Sequence, residues 1–177
     1  MDLAADPAGV QGIDVSHYQG TIDWSQVAQA GMAFAFIKAT QGTSETDPRF
    51  QDNWSGAKGA GLLRGAYHFY QPGDDPYQQA QNFLNVAAVG AGDLPPVLDV
   101  ETSGSDLITG VQTWLATVQQ ATGKTPILYT SPTFWAQNGS ADFSLFPLWI
   151  AEYGVTAPKI PQGWSTWAFW QFSESGS

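Results

Sequence analysis

A serial alternation constrains this chain more than any other feature. A short apolar run is followed by a segment with helical spacing, and the pair recurs along the sequence. Strands are expected at GIDVS (12–16), AFAFIKAT (33–40), LRGAYHFY (63–70), PVLDVE (96–101) and PILYT (126–130). A helix starts near Trp24, with Asp23 as N-cap, Gln26 at the capping-box position and Gly31 as its stop. The next follows Asp47 and Pro48, the expected cap and first-turn proline, and puts Phe50, Trp54 and Ala57 on one face. Pro76 opens a third, with Tyr77, Ala80, Leu84, Ala87 and Ala88 at helical spacing. The clearest amphipathic stripe is Leu107, Ile108, Val111, Trp114, Leu115 and Val118. A short helix then runs through Phe134 and Trp135. Two more strands, PLWIA (147–151) and WAFWQF (167–172), are separated by a Pro/Gly-rich loop with no helical stretch.

Five β-α units in series imply parallel strands joined by right-handed crossovers. The last strands are expected to break that parallel pattern. A complete eightfold barrel takes ~250 residues, and this chain has 177. The expected fold class is therefore α/β: a shortened, modified TIM-like β/α barrel with five β-α units and additional C-terminal strands. A doubly wound open sheet is the competing architecture. Neither a linker nor a low-complexity tract interrupts the chain, so residues 1–177 read as one domain.

Composition narrows the partners. Sixteen acidic residues against six basic ones give a formal net charge of −10. Without a basic stripe to neutralise phosphates, nucleic acid and anionic membranes are poor partners. Cysteine is absent, which removes disulfides, thiolate metal sites and a cysteine nucleophile. No apolar run approaches the ~20 residues of a membrane span. The loose lead from Met1 to Gln11 has no basic n-region and no apolar h-region, so it is not read as a signal peptide. It reads instead as what remains after a leader is removed and an initiator Met is added.

Within that frame, PPVLDVETSG (95–104) is unusual. Side chains alternate along a strand, so Asp99 and Glu101 point the same way, ~7 Å apart, with Val100 opposite. Both lie at the end of their strand, the edge where barrels and open α/β sheets build sites. Asp14 has the equivalent place on the first strand. Three acids from two strands can thus converge on one mouth. Carboxylates that cluster repel, and a fold tolerates them mainly where a ligand, a metal or a proton resolves the repulsion. Three chemistries use such a cluster: a Mg²⁺ or Ca²⁺ site, glycoside hydrolysis with one carboxyl protonated and one ionised, or anion repulsion in a binding cleft. The same strand ends supply Tyr67, Tyr70, Tyr129, Trp149 and Trp170, side chains on which the apolar faces of sugar rings stack. Together they favour carbohydrate.

Other candidates are weaker. His17 and His68 are the two histidines, and no ligand spacing joins them, so no zinc site is expected. His68 is expected to be buried and hydrogen-bonded rather than catalytic. Ser16 and Ser103 lie in no nucleophile-elbow motif, and GAKGAG matches no phosphate-binding fingerprint. Lys38 either balances the acids or points to solvent at its strand end.

These residues carry a resemblance over most of the chain, from about Gly12 to Phe172. Its carriers are GIDVSHYQGTIDW, FAFIKATQGTSETDPRF, GAYHFYQP, PPVLDVE, PILYTS, LWIAEY and WAFWQFS, in this order. The chain resembles the glycoside hydrolase family 25 lysozymes, the Chalaropsis-type N-acetylmuramidases. The resemblance implies a shortened barrel. It implies cleavage of the β-1,4 bond between N-acetylmuramic acid and N-acetylglucosamine in peptidoglycan. By motif, Glu101 looks like the general acid/base, Asp99 like its partner, and Asp14 like the acid of the first strand. Tyr67 and Tyr129 look like cleft tyrosines, and Trp149 like a sugar platform. It implies a secreted, extracellular, bacteriolytic monomer with antimicrobial action. Its partner is peptidoglycan glycan, with no cofactor and no metal. There are two departures. Gln41 stands where members often carry an acid, and the family usually continues past WQFSESGS with a segment bearing another cleft Asp, whereas these residues stop at Ser177.

In the expected mechanism Glu101 is kept protonated by neighbouring negative charge and partial burial, while Asp99 stays ionised. Asp99 either attacks the anomeric carbon or orients the sugar's 2-acetamido group as an internal nucleophile, and the second is favoured. Activity is expected to improve at mildly acidic pH or moderate salt, because walls are often polyanionic and charge is screened over ~8–10 Å. Two other readings remain: a wall-polysaccharide-binding module that does not cleave, and a chitinase-like hydrolase with a similar Asp-x-Glu.

Overall fold

The computed structural model of the chain describes residues 9–139 and 141–175. Residues 1–8 of the expected lead, and Ser177, lie outside the described residues. The elements in order are β1 (Gly12–Val15), α1 (Trp24–Gln29), β2 (Phe34–Gln41), β3 (Glu45–Thr46), α2 (Phe50–Gly59), β4 (Leu63–Phe69) and α3 (Pro76–Val86). They continue with β5 (Val97–Asp99), α4 (Leu107–Thr122), β6 (Ile127–Thr130), α5 (Pro132–Asn138), β7 (Leu148–Ala151) and β8 (Phe169–Gln171). A 3-10 turn at His17–Gln19 follows β1.

The strands form one curled sheet in the order β1-β2-β4-β5-β6-β7-β8, with β3 beside β2. Every pairing along that path is parallel. The expectation that the last strands break the pattern is therefore incorrect. A parallel return needs roughly a dozen residues or more of crossover, not a helix as such, and the irregular run 152–168 supplies that length between β7 and β8. The antiparallel element is instead β3, whose Thr46 and Glu45 pair with Thr40 and Gln41.

The two faces of the sheet bury different things. Ala35, Ile37, Ala66, Leu98 and Leu128 face the helices, whose Phe50, Phe83, Val111, Trp114 and Leu115 complete the larger core. The alternate residues turn inward, where Phe36, Val97, Ile127 and Trp149 pack with Phe34, Tyr67, Tyr129 and Phe169. That alternation is the strand period itself. Gly65 makes room for it: a Cβ there would lie 2.5 Å from the ring of Phe36. Among the described residues no helix is long and apolar enough to cross a membrane.

Helix starts follow local chemistry, with corrections. Asp23 caps α1 by accepting from the backbone N–H groups of Ser25 and Gln26. The Gln26 side chain returns to the Asp23 carboxylate at 2.9 Å rather than to backbone. Asp47 does not cap α2, whose N-cap is Arg49 without a side-chain bond. It instead accepts from the His17 N–H at 3.0 Å and pairs with His17 Nδ1 at 2.7 Å, tying the turn after β1 to the entry of α2. Pro76 does open α3, capped by Asp75. That helix ends at Val86, so Ala87 and Ala88 fall beyond the expected stripe.

Candidate active site

The C-terminal strand ends open into one cavity of about 220 Å³. Asp14 comes from β1, Lys38 from β2, Tyr67 and Phe69 from β4, Asp99 and Glu101 from β5 and the residue run beyond it. Tyr129 of β6 and Trp149 of β7 complete the wall, with Ser16 and Tyr18 of the turn after β1. All six candidate site residues thus line the same cavity. The reason is register. Phe69 pairs with Asp99, Asp99 with Tyr129 and Tyr129 with Trp149, so one row of the parallel sheet carries them to the same level and face.

Asp99 is the buried member, and its Oδ1 has no hydrogen-bond partner. Loss of water pushes its pKa well above the usual carboxylate range, the Glu101 and Asp14 charges add to that, and Lys38 opposes it. Glu101 stands exposed at the rim. The surrounding walls still exclude enough water to raise its pKa, with Asp14 adding and Lys38 opposing. Asp14 is half-buried, and burial raises its pKa against a hydrogen bond from Gln171. Both carboxyls of the pair are thus pushed upward, with Asp99 the more deeply buried of the two. Asp99 is the last residue inside its strand, whereas Glu101 lies beyond the strand's end.

Lys38 is buried inside the cleft rather than pointing to solvent. Its ammonium donates to Gln41 Oε1 at 2.6 Å and lies 4.9 Å from the Phe69 ring centre. A register shift between Lys38 and Thr40 allows this. Strict alternation would put Gln41 on the opposite face from Lys38; the bulge restores it. Because Gln41 is neutral, the Lys38 charge is left to act on the carboxylates.

The aromatic candidates divide. Tyr67 lines the cleft, and burial raises its phenol pKa. Trp149 is buried, stacked on Phe36 at 4.5 Å and set edge-on to Tyr129 at 4.7 Å, and it lines the cavity. The Tyr129 hydroxyl donates to Gln171 Oε1 at 2.8 Å. Tyr70 leaves the cleft for the helix-side core. Trp170 faces the other way from its neighbours Phe169 and Gln171, and its indole N–H donates to the Glu152 carbonyl.

His68 is buried, and both ring nitrogens are engaged, Nδ1 with the Thr40 hydroxyl at 2.7 Å and Nε2 with Gln79 Oε1 at 3.1 Å. Burial lowers its pKa to about 4, so it is neutral and structural, as expected. No group of three or more His, Cys, Asp or Glu among the described residues is arranged to hold a metal ion.

Known proteins are similar to this chain in sequence and in shape. Residues 13–177 match the family model described as Glycosyl hydrolases family 25. The chain belongs to glycosyl hydrolase family 25. Lysozyme M1 of Streptomyces globisporus is 42% identical over 191 residues, an alignment covering 97% of this chain and 64% of that protein. The N,O-diacetylmuramidase of a Chalaropsis species is 34% identical, covering 94% of this chain and 89% of its own length. The chain thus spans less than two thirds of the Streptomyces relative and most of the Chalaropsis one. Among solved structures, a bacterial lysozyme from Streptomyces coelicolor superposes with a TM-score of 0.91 at 39% identity, over 97% of this chain and 87% of that one. A family 25 glycosyl hydrolase from Bacillus anthracis gives 0.88 at 29% identity, over 97% and 82%.

Ser16, Tyr18 and Phe69 line the cleft without having been given a site role from sequence, and Gln171 stands behind it, bonded to Asp14. Ser16 and Tyr18 belong to the turn after β1, where Ser16 and Gln19 form a capping box that was a readable signal. Phe69 shares the Tyr67 face. Gln171 was signalled by its place in WAFWQF, a polar residue on the inward face of an aromatic strand.

Proposed function

We propose that this chain is a muramidase that hydrolyses the β-1,4 bond between N-acetylmuramic acid and N-acetylglucosamine in peptidoglycan. The observation that carries this reading is Asp99, a buried carboxyl with an unpartnered oxygen, in a cleft that also holds Glu101 and Asp14. Asn53, Trp114 and Thr130 also carry a buried polar atom without a partner, but of the four only Asp99 lines the cavity, where a ligand can complete it. An acetamido N–H of the substrate is a donor of the right kind.

In this mechanism Glu101 gives its proton to the glycosidic oxygen as the C–O bond breaks. Asp99 accepts the acetamido N–H, which favours its ionised form, and turns the acetamido oxygen towards the anomeric carbon. That oxygen forms the new bond, in the substrate-assisted variant of the two-carboxylate mechanism. Water then opens the ring intermediate while Glu101, now a carboxylate, takes a proton from it. Asp14 contributes negative charge opposite the developing oxocarbenium ion, and Lys38 keeps the carboxylates from all holding protons. The scaffold in this reading is a shortened TIM-like barrel of five β-α units with two further strands, acting as a secreted, bacteriolytic monomer on cell-wall glycan.

Release of reducing ends tests it, with purified peptidoglycan and chitin oligomers side by side. New ends from peptidoglycan and not from chitin are expected. Binding to the wall without new ends would favour a polysaccharide-binding module, and faster cleavage of chitin would favour a chitinase-like hydrolase.

A further inference from the structure

We infer that Gln171 is a positioning residue for Asp14: its side-chain amide spans the seam between β8 and β1, which no strand pairing closes among the described residues, and fixes the orientation and charge of the Asp14 carboxylate. The inference rests on reading the cleft as the active site. β1 and β8 are the two ends of the strand order. At that seam Gln171 Nε2 donates to Asp14 Oδ2 at 2.8 Å. Its Oε1 accepts from the Tyr129 hydroxyl at 2.8 Å and from the Tyr153 hydroxyl at 2.6 Å. One side chain therefore joins β1, β6 and the loop after β7.

The partners determine which way the amide faces. An ionised carboxylate only accepts, so the nitrogen must face Asp14 and the oxygen the two phenols. Two donors on one carbonyl oxygen polarise the amide and strengthen its N–H as a donor. The charge environment makes this matter. Asp14 faces Tyr67 of β4, Asp99 and Glu101 of the β5 end, Tyr129 of β6 and Tyr153 beyond β7, all of which are acids or phenols. Lys38 is the cation lining the same cavity. Burial works against the Asp14 charge, and the Gln171 N–H works for it. The same geometry commits the Tyr129 hydroxyl proton to this frame and leaves its oxygen as an acceptor on the cavity wall.

Three variants separate positioning from mere packing. Gln171→Met keeps the length and removes the bonds. Gln171→Glu keeps an acceptor for the tyrosines but sets a second carboxylate against Asp14. Asp14→Asn combined with Gln171→Glu restores a donor–acceptor pair and moves the charge off position 14. Carbon-13 NMR of the Asp14 carboxyl, without substrate, is expected to show its pKa raised by about one unit in Gln171→Met and by more in Gln171→Glu. The acidic limb of the pH–rate profile should move with it, with KM changing less than kcat. The double variant should regain the parent melting temperature yet stay at least roughly tenfold down in kcat. An unshifted Asp14 in Gln171→Met, or parent kcat in the double variant, would overturn the inference. If Gln171→Met does not fold, the contrast between Gln171→Glu and the double variant decides. The NMR result needs no turnover, so it stands apart from any failure of the muramidase reading.

Discussion

Two buried polar clusters lie back to back across β2, β4 and β5. On the helix side, His68 has a partner for each nitrogen in Thr40 and Gln79, and Gln79 also donates to the Gln71 carbonyl. On the inner side, one residue earlier on β4, Tyr67 faces Asp99, which is also buried and leaves Oδ1 without a partner. The first cluster is closed: its hydrogen bonds fix the strands to α3 and leave nothing for a ligand. The second is open: Asp99 Oδ1 has no protein partner, and burial with neighbouring charge raises the pKa values of its carboxyls. Between His68 and Asp99 the difference is hydrogen-bond satisfaction: both ring nitrogens of the one are engaged, and an oxygen of the other is not.

The largest effect expected from the open cluster comes from Glu101→Gln. It should lower peptidoglycan cleavage by roughly 10³-fold, in the range ascribed to a general acid, with an unchanged melting temperature. Parent activity in that variant would remove Glu101 from its role. Asp99→Asn should cost roughly 10²-fold in kcat and, unlike a change in a closed cluster, stabilise the fold. The sign follows from linkage. The folded pKa of Asp99 is raised, so the neutral form suits the folded state and ionisation costs stability. Below the unfolded value of ~3.9 parent and variant should match. The advantage of the variant should open as pH rises through the folded pKa and then level off, as read by urea denaturation at a series of pH values.

The closed cluster should respond in the opposite way. His68→Leu leaves Thr40 and Gln79 without their partner and should cost about 2–4 kcal/mol of stability. Activity per folded molecule should stay near the parent value. A large drop in kcat with intact folding would mean that the helix-side cluster is not merely structural. The smallest effect is expected from Lys38→Met. Lys38 lowers the pKa values of Asp99 and Glu101, so its removal should move the pH–rate profile upward by about one unit.

Much of this contrast was legible in the sequence, for identifiable reasons. The strand and helix alternation is a statement about period, and period survives folding. Asp99 ends its strand and Glu101 follows two residues on, so the alternation of an extended chain was enough to place both on one side. Asp14 needed only the rule that strand ends gather at one rim. Other features depend on contacts distant in sequence. The bulge after Lys38 is set by pairing with β4, and without it Gln41 would be assigned to the wrong face. Asp47 looked like a helix cap because Pro48 follows it, but its carboxylate is taken by His17, 30 residues earlier. The bond from Gln171 to Asp14 spans 157 residues and exists only because the sheet curls until its first and last strands meet. The direction of β8 is not legible locally, because an irregular run as long as 152–168 can return the chain either way.

The account stands most directly on the chemical identity of the ends that the chain creates. Peptidoglycan digested by the parent protein is reduced with borohydride, hydrolysed and analysed for its sugar alcohols. The account predicts muramitol from the parent protein and none above background from Glu101→Gln. Glucosaminitol in its place, or no sugar alcohol above background from the parent protein, would contradict it.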